Sequence, residues 1–366
     1  MPARQLSGVP GIAGTPCTGH TTQKASRTQT QGGKTDCAPS GHLGNPDHAC
    51  QRRLTSSPFE RVPTFIRPRV VSTSPLHIAH DTLGNPAHPP MVLIMGLGMQ
   101  LTSWPDAFCQ ALVAHGFYLV RFDNRDAGLS GRAEPKQGAN LLLAMAASAL
   151  HLPVCAPYTL ADMASDTIGL MDRLGLPAAH IVGVSMGGMI AQELAARFPQ
   201  RVLSLTSIMS SSGNRRVSRP TWAALKVLLS RPAHPDQPDS VVEHLLHVFE
   251  VIGSPAYPTP ADERRAAVRQ SIQRAYCPEG TTRQLLAVMA SGDRRERLRT
   301  ISAPTLVIHG EADPLVPLSA GRDTAAHIPR ARLLTVPGMG HDLPAALLPT
   351  LAAAIADHAH AATHGR

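Results

Sequence analysis

Three residues of this chain have the types and the order that nucleophilic catalysis requires. Residues 183–187 read Gly-Val-Ser-Met-Gly, and Gly188 follows. A serine hydroxyl attacks a carbonyl only when a base takes its proton, and the base must be oriented and its charge balanced by an acid. Ser185 lies between an apolar strand pattern, "AHIVGV", and a helical one, "MGGMIAQELAARFP". A sharp strand-to-helix turn exposes the hydroxyl and crowds its neighbours, which explains small residues at 183 and 187. Gly188 lets the helix lie close to the sheet. Taken alone, the motif also fits a glycine-rich turn with an incidental serine.

Partners for Ser185 stand further along. Asp313 in "VIHGEADPLVP" follows the strand pattern 304–309, and His341 in "VPGMGHDLP" follows the strand pattern 331–336. Ser, acid, His is the chain order expected for this kind of turn, with acid and base just beyond strand C-termini. Glu311 and Asp342 are alternative acids, although Asp342 adjoins the base and is expected to point elsewhere. The bland alternatives are an Asp313 that caps a turn before Pro314 and a His341 that is one of 18 histidines. An anion-stabilising hole is expected from the backbone N–H groups of Leu97, in "IMGLGMQ", and Met186. Gly96-x-Gly98, with Asp123 ending the next strand, also imitates a dinucleotide fingerprint. Leu101 at the third glycine position and a late helix start oppose that reading.

The elements that must position these residues are short apolar strands alternating with helices. Strand patterns occupy 91–95, 117–123, 179–184, 201–209, 304–309 and 331–336. Helical patterns occupy 103–116, with Ser103 as N-cap, and 159–175, 186–199 and 318–328. This alternation predicts a mostly parallel sheet covered on both faces. Between 201–209 and 304–309 lies a long stretch with helical patterns near 220–230, 239–252, 260–276 and 280–291. A connection of that length needs structure of its own, and we read 212–295 as a helical cap. Trp222, Leu225, Phe249 and Met289 are its candidates for lining a pocket, against the alternative that they pack the cap onto the sheet. Residues 139–153 are expected to add a second wall. Arg294, Arg295, Arg297 and Arg299 resemble a phosphate patch but read better as a solvated helix end.

Charge and composition exclude other classes. The formal net charge is +8, but residues 1–69 carry nine Lys/Arg against three Asp/Glu, leaving 25 against 23 in the rest. The basic character belongs to the N-terminal segment, which argues against a nucleic-acid enzyme. Residues 1–60 lack apolar periodicity and are read as a disordered segment, with a targeting arm or an over-extended terminus as alternatives. Cys17, His20, Cys37, His42, His48 and Cys50 match no standard zinc spacing. Cys109, Cys155 and Cys277 are scattered, so a cytoplasmic setting is expected. No apolar run is long enough to span a bilayer.

"GVSMGG", "HGEADPLVP" and "GMGHDLP" resemble the nucleophile, acid and histidine loops of the α/β-hydrolase superfamily, and the resemblance covers residue 68 to the C-terminus. "FDNRDAGLS" resembles the superfamily's D-x-R-G-x-G-x-S segment, with Asp126 in place of the first glycine. Together with "LIMGLGMQLTSWP" it looks most like the aclacinomycin methylesterase branch. The resemblance implies an α/β-hydrolase fold over 61–366. It also implies catalytic roles for Ser185, Asp313 and His341, oxyanion donors at Leu97 and Met186, and no metal or organic cofactor. A serine at 185 departs from the dehalogenase and epoxide-hydrolase branches, which carry aspartate there. The expected activity is hydrolysis of a carboxylic ester of a small or medium apolar substrate through an acyl-enzyme. A thioester, lactone, amide or C–C bond, or a catalytically silent receptor or scaffold, are the other classes. Oligomeric state is left open.

Overall fold

The computed structural model describes residues 76–137, 139–150 and 152–364. The disordered-segment reading of 1–60 and the zinc alternative therefore lie outside the described residues. Seven strands form one sheet: β1 (His80–Leu83), β2 (Pro90–Ile94), β3 (Tyr118–Phe122), β4 (Ala179–Val184), β5 (Val202–Ile208), β6 (Thr305–Gly310) and β7 (Arg332–Val336). Their order is β1-β3-β2-β4-β5-β6-β7. β1 pairs antiparallel with β3, and the other pairings are parallel. β1 was not expected. Its sequence, His-Asp-Thr-Leu, is polar because it is an edge strand with no apolar face to bury.

The helices are α1 (Asp106–Ala114), α2 (Leu141–Ala149), α3 (Leu160–Arg173), α4 (Met186–Arg197), α5 (Trp222–Leu229), α6 (Pro238–Ile252), α7 (Ala261–Arg274), α8 (Pro278–Ser291), α9 (Arg295–Leu298), α10 (Leu318–His327) and α11 (Leu348–His364). Alternate strand residues face opposite layers, so each strand feeds two cores. Val92, Ile94 and Ile181 join Met163, Leu170, Ile190 and Leu194 of α3 and α4. Met91, Leu93 and Val182 join Phe108 and Leu112 of α1 and Leu351 and Ile355 of α11. The central strands β2 and β4 are thus covered on both faces, which is why they read as unbroken apolar runs.

Ser103 does not cap α1. Leu101–Ser103 forms a single 3-10 turn, and Pro105 occupies the N-cap position of a helix that starts at Asp106. Five helices, α5 to α9, lie between β5 and β6. Trp222 is exposed and borders an open groove on the outer surface rather than an enclosed pocket. Phe249 packs on the Ala224–Val227–Ile252 cluster, and Met289 packs beside Ala144 and Leu286. The packing alternative therefore describes these two.

Arg294 is the clearest departure from expectation. It is fully buried rather than part of a solvated helix end. Its Nη2 donates to the Ser211 carbonyl at 2.5 Å and its Nη1 to the Gly292 carbonyl at 3.1 Å. It joins the loop after β5 to the start of α9. Burial lowers its pKa to about 10, with Glu193 opposing the shift, so the side chain stays charged at neutral pH. Sequence spacing sees only a run of arginines and cannot tell which one turns inward. Replacing Arg294 by Met leaves these carbonyls without their donor. The expected loss is about 3 kcal/mol of unfolding free energy, measured as a lower urea midpoint with unchanged m-value. A loss under about 0.5 kcal/mol, the range of ordinary surface substitutions, would contradict it.

Candidate active site

β4 delivers Ser185 to the C-terminal edge of the sheet, and α4 begins at the next residue. Ser185 has φ 55° and ψ −119°, a left-handed conformation that a non-glycine residue adopts only under constraint. Two close approaches hold it there. A Cβ on Gly187 would lie 2.1 Å from the Ile94 carbonyl oxygen, and one on Gly183 would lie 2.2 Å from the Gly187 carbonyl oxygen. The turn therefore folds tightly on itself and against the end of β2. The Ser185 N–H donates to the Ile208 carbonyl at 2.9 Å, and the Ser210 hydroxyl donates to the Ser185 carbonyl at 2.8 Å. A Cβ at Gly188 would come within 3.0 Å of Ser207 on β5, as the close helix-to-sheet packing requires.

The two expected partners converge on this serine. His341 Nε2 lies 2.9 Å from Ser185 Oγ, and His341 Nδ1 lies 2.7 Å from Asp313 Oδ2. A carboxylate only accepts, so Nδ1 carries the proton and Nε2 presents its lone pair to the serine hydroxyl. Asp313 is buried. Its other oxygen accepts the N–H groups of Leu315 and Val316 at 2.9 and 2.8 Å. The loop after β6 is thereby wound around the carboxylate. The His341 N–H donates to the Ile252 carbonyl at the end of α6, at 2.7 Å.

His309, on β6, stands 3.8 Å from Asp313 Oδ2. It is not a second cation there. Burial pushes its pKa below the ordinary histidine value, and its Nε2–H donates to the Val316 carbonyl at 2.7 Å.

The other acids lie elsewhere. Glu311 is exposed. Asp342 accepts from the Ser254 hydroxyl and pairs with Arg264 at 3.6 Å, so it ties the histidine loop to α6 and α7. Burial raises its pKa above the ordinary carboxylate value.

The loop after β2 borders the serine. A Cβ built on Gly96 would sit 3.4 Å from Ser185 Cβ. Asn124 donates to the Met95 carbonyl at 2.9 Å. The N–H groups of Leu97 and Met186 have no hydrogen-bond partner among the described residues. Both are available to an oxyanion.

Sequence reasoning missed the residue that fixes this loop. Gln284 of α8, fully buried, accepts the Gly98 N–H at 2.7 Å and donates to the Arg125 carbonyl at 2.7 Å. Two further carboxylates fasten the insert to the sheet. Asp123 accepts the N–H groups of Leu101 and Leu129 and pairs with Arg274 of α7 at 2.8 Å. Asp126, at φ 68°, accepts from Tyr158 and from Arg283 of α8, each at 2.7 Å. Its backbone explains the glycine that the superfamily places there.

A family model described as alpha/beta hydrolase fold matches residues 89–344. The chain belongs to the α/β-hydrolase family. It is 30% identical over 314 residues to the rhodomycin D methylesterase of Streptomyces peucetius, covering 81% of this chain and 99% of that protein. Among solved structures it is similar to the meta-cleavage product hydrolase of Pseudomonas fluorescens IP01. There the TM-score is 0.60 at 21% identity, over 78% of this chain and 95% of that one. It is also similar to an enol-lactonase from Burkholderia xenovorans LB400. That TM-score is 0.57 at 23% identity, over 77% and 96% of the two chains. These two likenesses show the fold.

In this α/β-hydrolase the loop bearing Leu97 owes its position to an amide on α8. Gln284→Leu keeps the volume but removes both hydrogen bonds. It is expected to lower kcat about tenfold or more with a smaller change in KM, because the loop bearing Leu97 shifts relative to Ser185. Gln284→Glu keeps an acceptor for Gly98 and is expected to lose less. Steady-state kinetics with an unchanged kcat for Gln284→Leu would contradict this role.

Proposed function

We propose that the chain is a serine esterase in which Ser185 is the nucleophile, His341 the general base and acid, and Asp313 the orienting carboxylate. The single observation carrying these roles is the hydrogen-bonded line from Asp313 Oδ2 through His341 to Ser185 Oγ, at 2.7 and 2.9 Å. The similarity to a methylesterase over nearly that protein's whole length supports a carboxylic ester as substrate, and a methyl ester in particular.

In the first step Ser185 Oγ attacks the ester carbonyl while His341 Nε2 takes its proton. The N–H groups of Leu97 and Met186 receive the charge that develops on the carbonyl oxygen. The carbon–alkoxy bond then breaks, and His341 returns the proton to the departing alcohol. In the second step His341 deprotonates a water that attacks the acyl carbon, and Ser185 leaves with the proton restored. Asp313 stays ionised throughout, holding the Nδ1–H tautomer and offsetting the imidazolium charge.

The helices within 212–295 form the cap over this site in the same reading, and 139–153 its second wall. An apolar substrate of small or medium size fits the apolar content of α5, α6 and α8. Cytoplasmic residence also belongs to this proposal. Cys109, Cys155 and Cys277 are free thiols.

Hydrolysis of short-chain p-nitrophenyl esters tests the roles. Ser185→Ala is expected to lose on the order of 10³-fold or more in kcat. Asp313→Asn is expected to lose a comparable factor with an unchanged melting temperature. Glu311→Gln should stay within about twofold of the parent rate, as its side chain is exposed and the His341 ring is bonded to Asp313 instead. Full activity in Ser185→Ala, or a larger loss in Glu311→Gln than in Asp313→Asn, would overturn the assignment.

A further inference from the structure

The outer face of α2 and α5 is unlike the rest of the surface. Along α2, Leu142, Ala146 and Leu150 stand four residues apart on one exposed stripe, with Leu143 beside it. Leu142 is 76% exposed, Leu150 69% and Leu143 64%. Trp222 opens α5 and is 85% exposed. Between the two helices runs an apolar groove of about 590 Å³, lined by Met145, Trp222, Ala223, Leu225, Lys226 and Leu229. Arg215 joins the two parts by donating to the Ser148 carbonyl at the end of α2. A contiguous exposed patch of this kind marks a surface that binds something.

Charge indicates what. Arg215, Arg216, Arg219, Lys226 and Arg231 fall within seventeen residues, and residues 201–235 contain no Asp or Glu. Residues 135–161, which include α2, contain none either. All five cations are exposed. Among the described residues none of the five forms an ion pair. The patch therefore combines large apolar side chains, an exposed indole and unneutralised positive charge.

We propose that this face docks on an anionic lipid surface. Leucines on one helix and the indole at the start of another enter the headgroup boundary, while the flanking cations meet lipid phosphates. A second copy of the chain is a poorer occupant. A two-fold contact would set these cations against themselves, with no acid on the same stretch to answer them. A nucleic acid would satisfy the cations and leave the leucines in water. No helix among the described residues is long and apolar enough to cross a membrane, so the contact proposed is peripheral. Thr221, the N-cap of α5, donates its N–H to the Pro314 carbonyl at 2.8 Å, next to Asp313. The docking face thus begins one residue from the loop that carries the acid.

The test uses the full chain and vesicles of phosphatidylglycerol mixed with phosphatidylcholine, compared with phosphatidylcholine alone. The chain has two tryptophans, and Trp104 is fully buried, so a blue shift on adding vesicles reports Trp222. We expect flotation with the anionic vesicles, a blue shift, and weakening by salt. Arg219→Gln and Lys226→Gln should each reduce vesicle affinity about fivefold. Trp222→Ala and Leu142→Ser/Leu143→Ser should reduce it at least as much. All these side chains are exposed, so melting temperatures should not move. Ester hydrolysis is not the readout, so the result stands apart from the catalytic assignment. The proposal is overturned if the variants bind as the parent does, which would place binding in the basic N-terminal segment. It is overturned equally if the protein ignores anionic vesicles, or if sedimentation shows a dimer that these substitutions dissolve.

Discussion

A serine held at φ 55° is the constraint from which the rest of the site follows. Such a backbone costs on the order of 1–3 kcal/mol and persists only when its surroundings over-determine it. Here the surroundings are the glycines at 183 and 187, whose missing side chains admit two carbonyl oxygens at distances no Cβ tolerates. The conformation lifts the hydroxyl off the sheet toward His341 and starts α4 immediately behind it. The first N–H of that helix has no partner among the described residues. The exposed hydroxyl, its contact with His341 and the free N–H of Met186 are thus consequences of one turn.

The second organising feature is that the helical insert is registered on the sheet by polar ties as well as apolar packing. Gln284 holds the loop after β2, Asp123 and Asp126 receive arginines from α7 and α8, and Asp342 receives Ser254 and Arg264. Each tie is short, directional and partly or wholly buried, so it fixes position in a way that apolar contact alone does not. Asp126 illustrates the point. At a backbone position suited to glycine it supplies a carboxylate that binds Tyr158 and Arg283 together.

Much of this architecture was legible in the sequence. The central parallel strands read as apolar runs because both faces are buried, and Ser185, Asp313 and His341 were recognisable because each stands beyond a strand pattern. What was not legible has a common cause. Gln284 meets Gly98 across 186 positions of chain, and Arg283 meets Asp126 across 157. No local period or spacing encodes a pairing of that separation. The edge strand β1 escaped notice because it has no apolar face. Arg294 was misread because a run of arginines gives no sign of which member is buried. Ser103 carries N-cap chemistry, but the chain makes a 3-10 turn there and enters α1 after Pro105.

The central claim is that Ser185 is a nucleophile activated by His341. Covalent labelling tests it without knowledge of the substrate. A fluorophosphonate should modify the protein with a stoichiometry near one, and peptide mass mapping should place the adduct on Ser185. In His341→Ala the rate of that modification should fall on the order of 10³-fold or more, since the hydroxyl then has no base to accept its proton. An adduct on another serine, or an unchanged labelling rate in His341→Ala, would contradict the account.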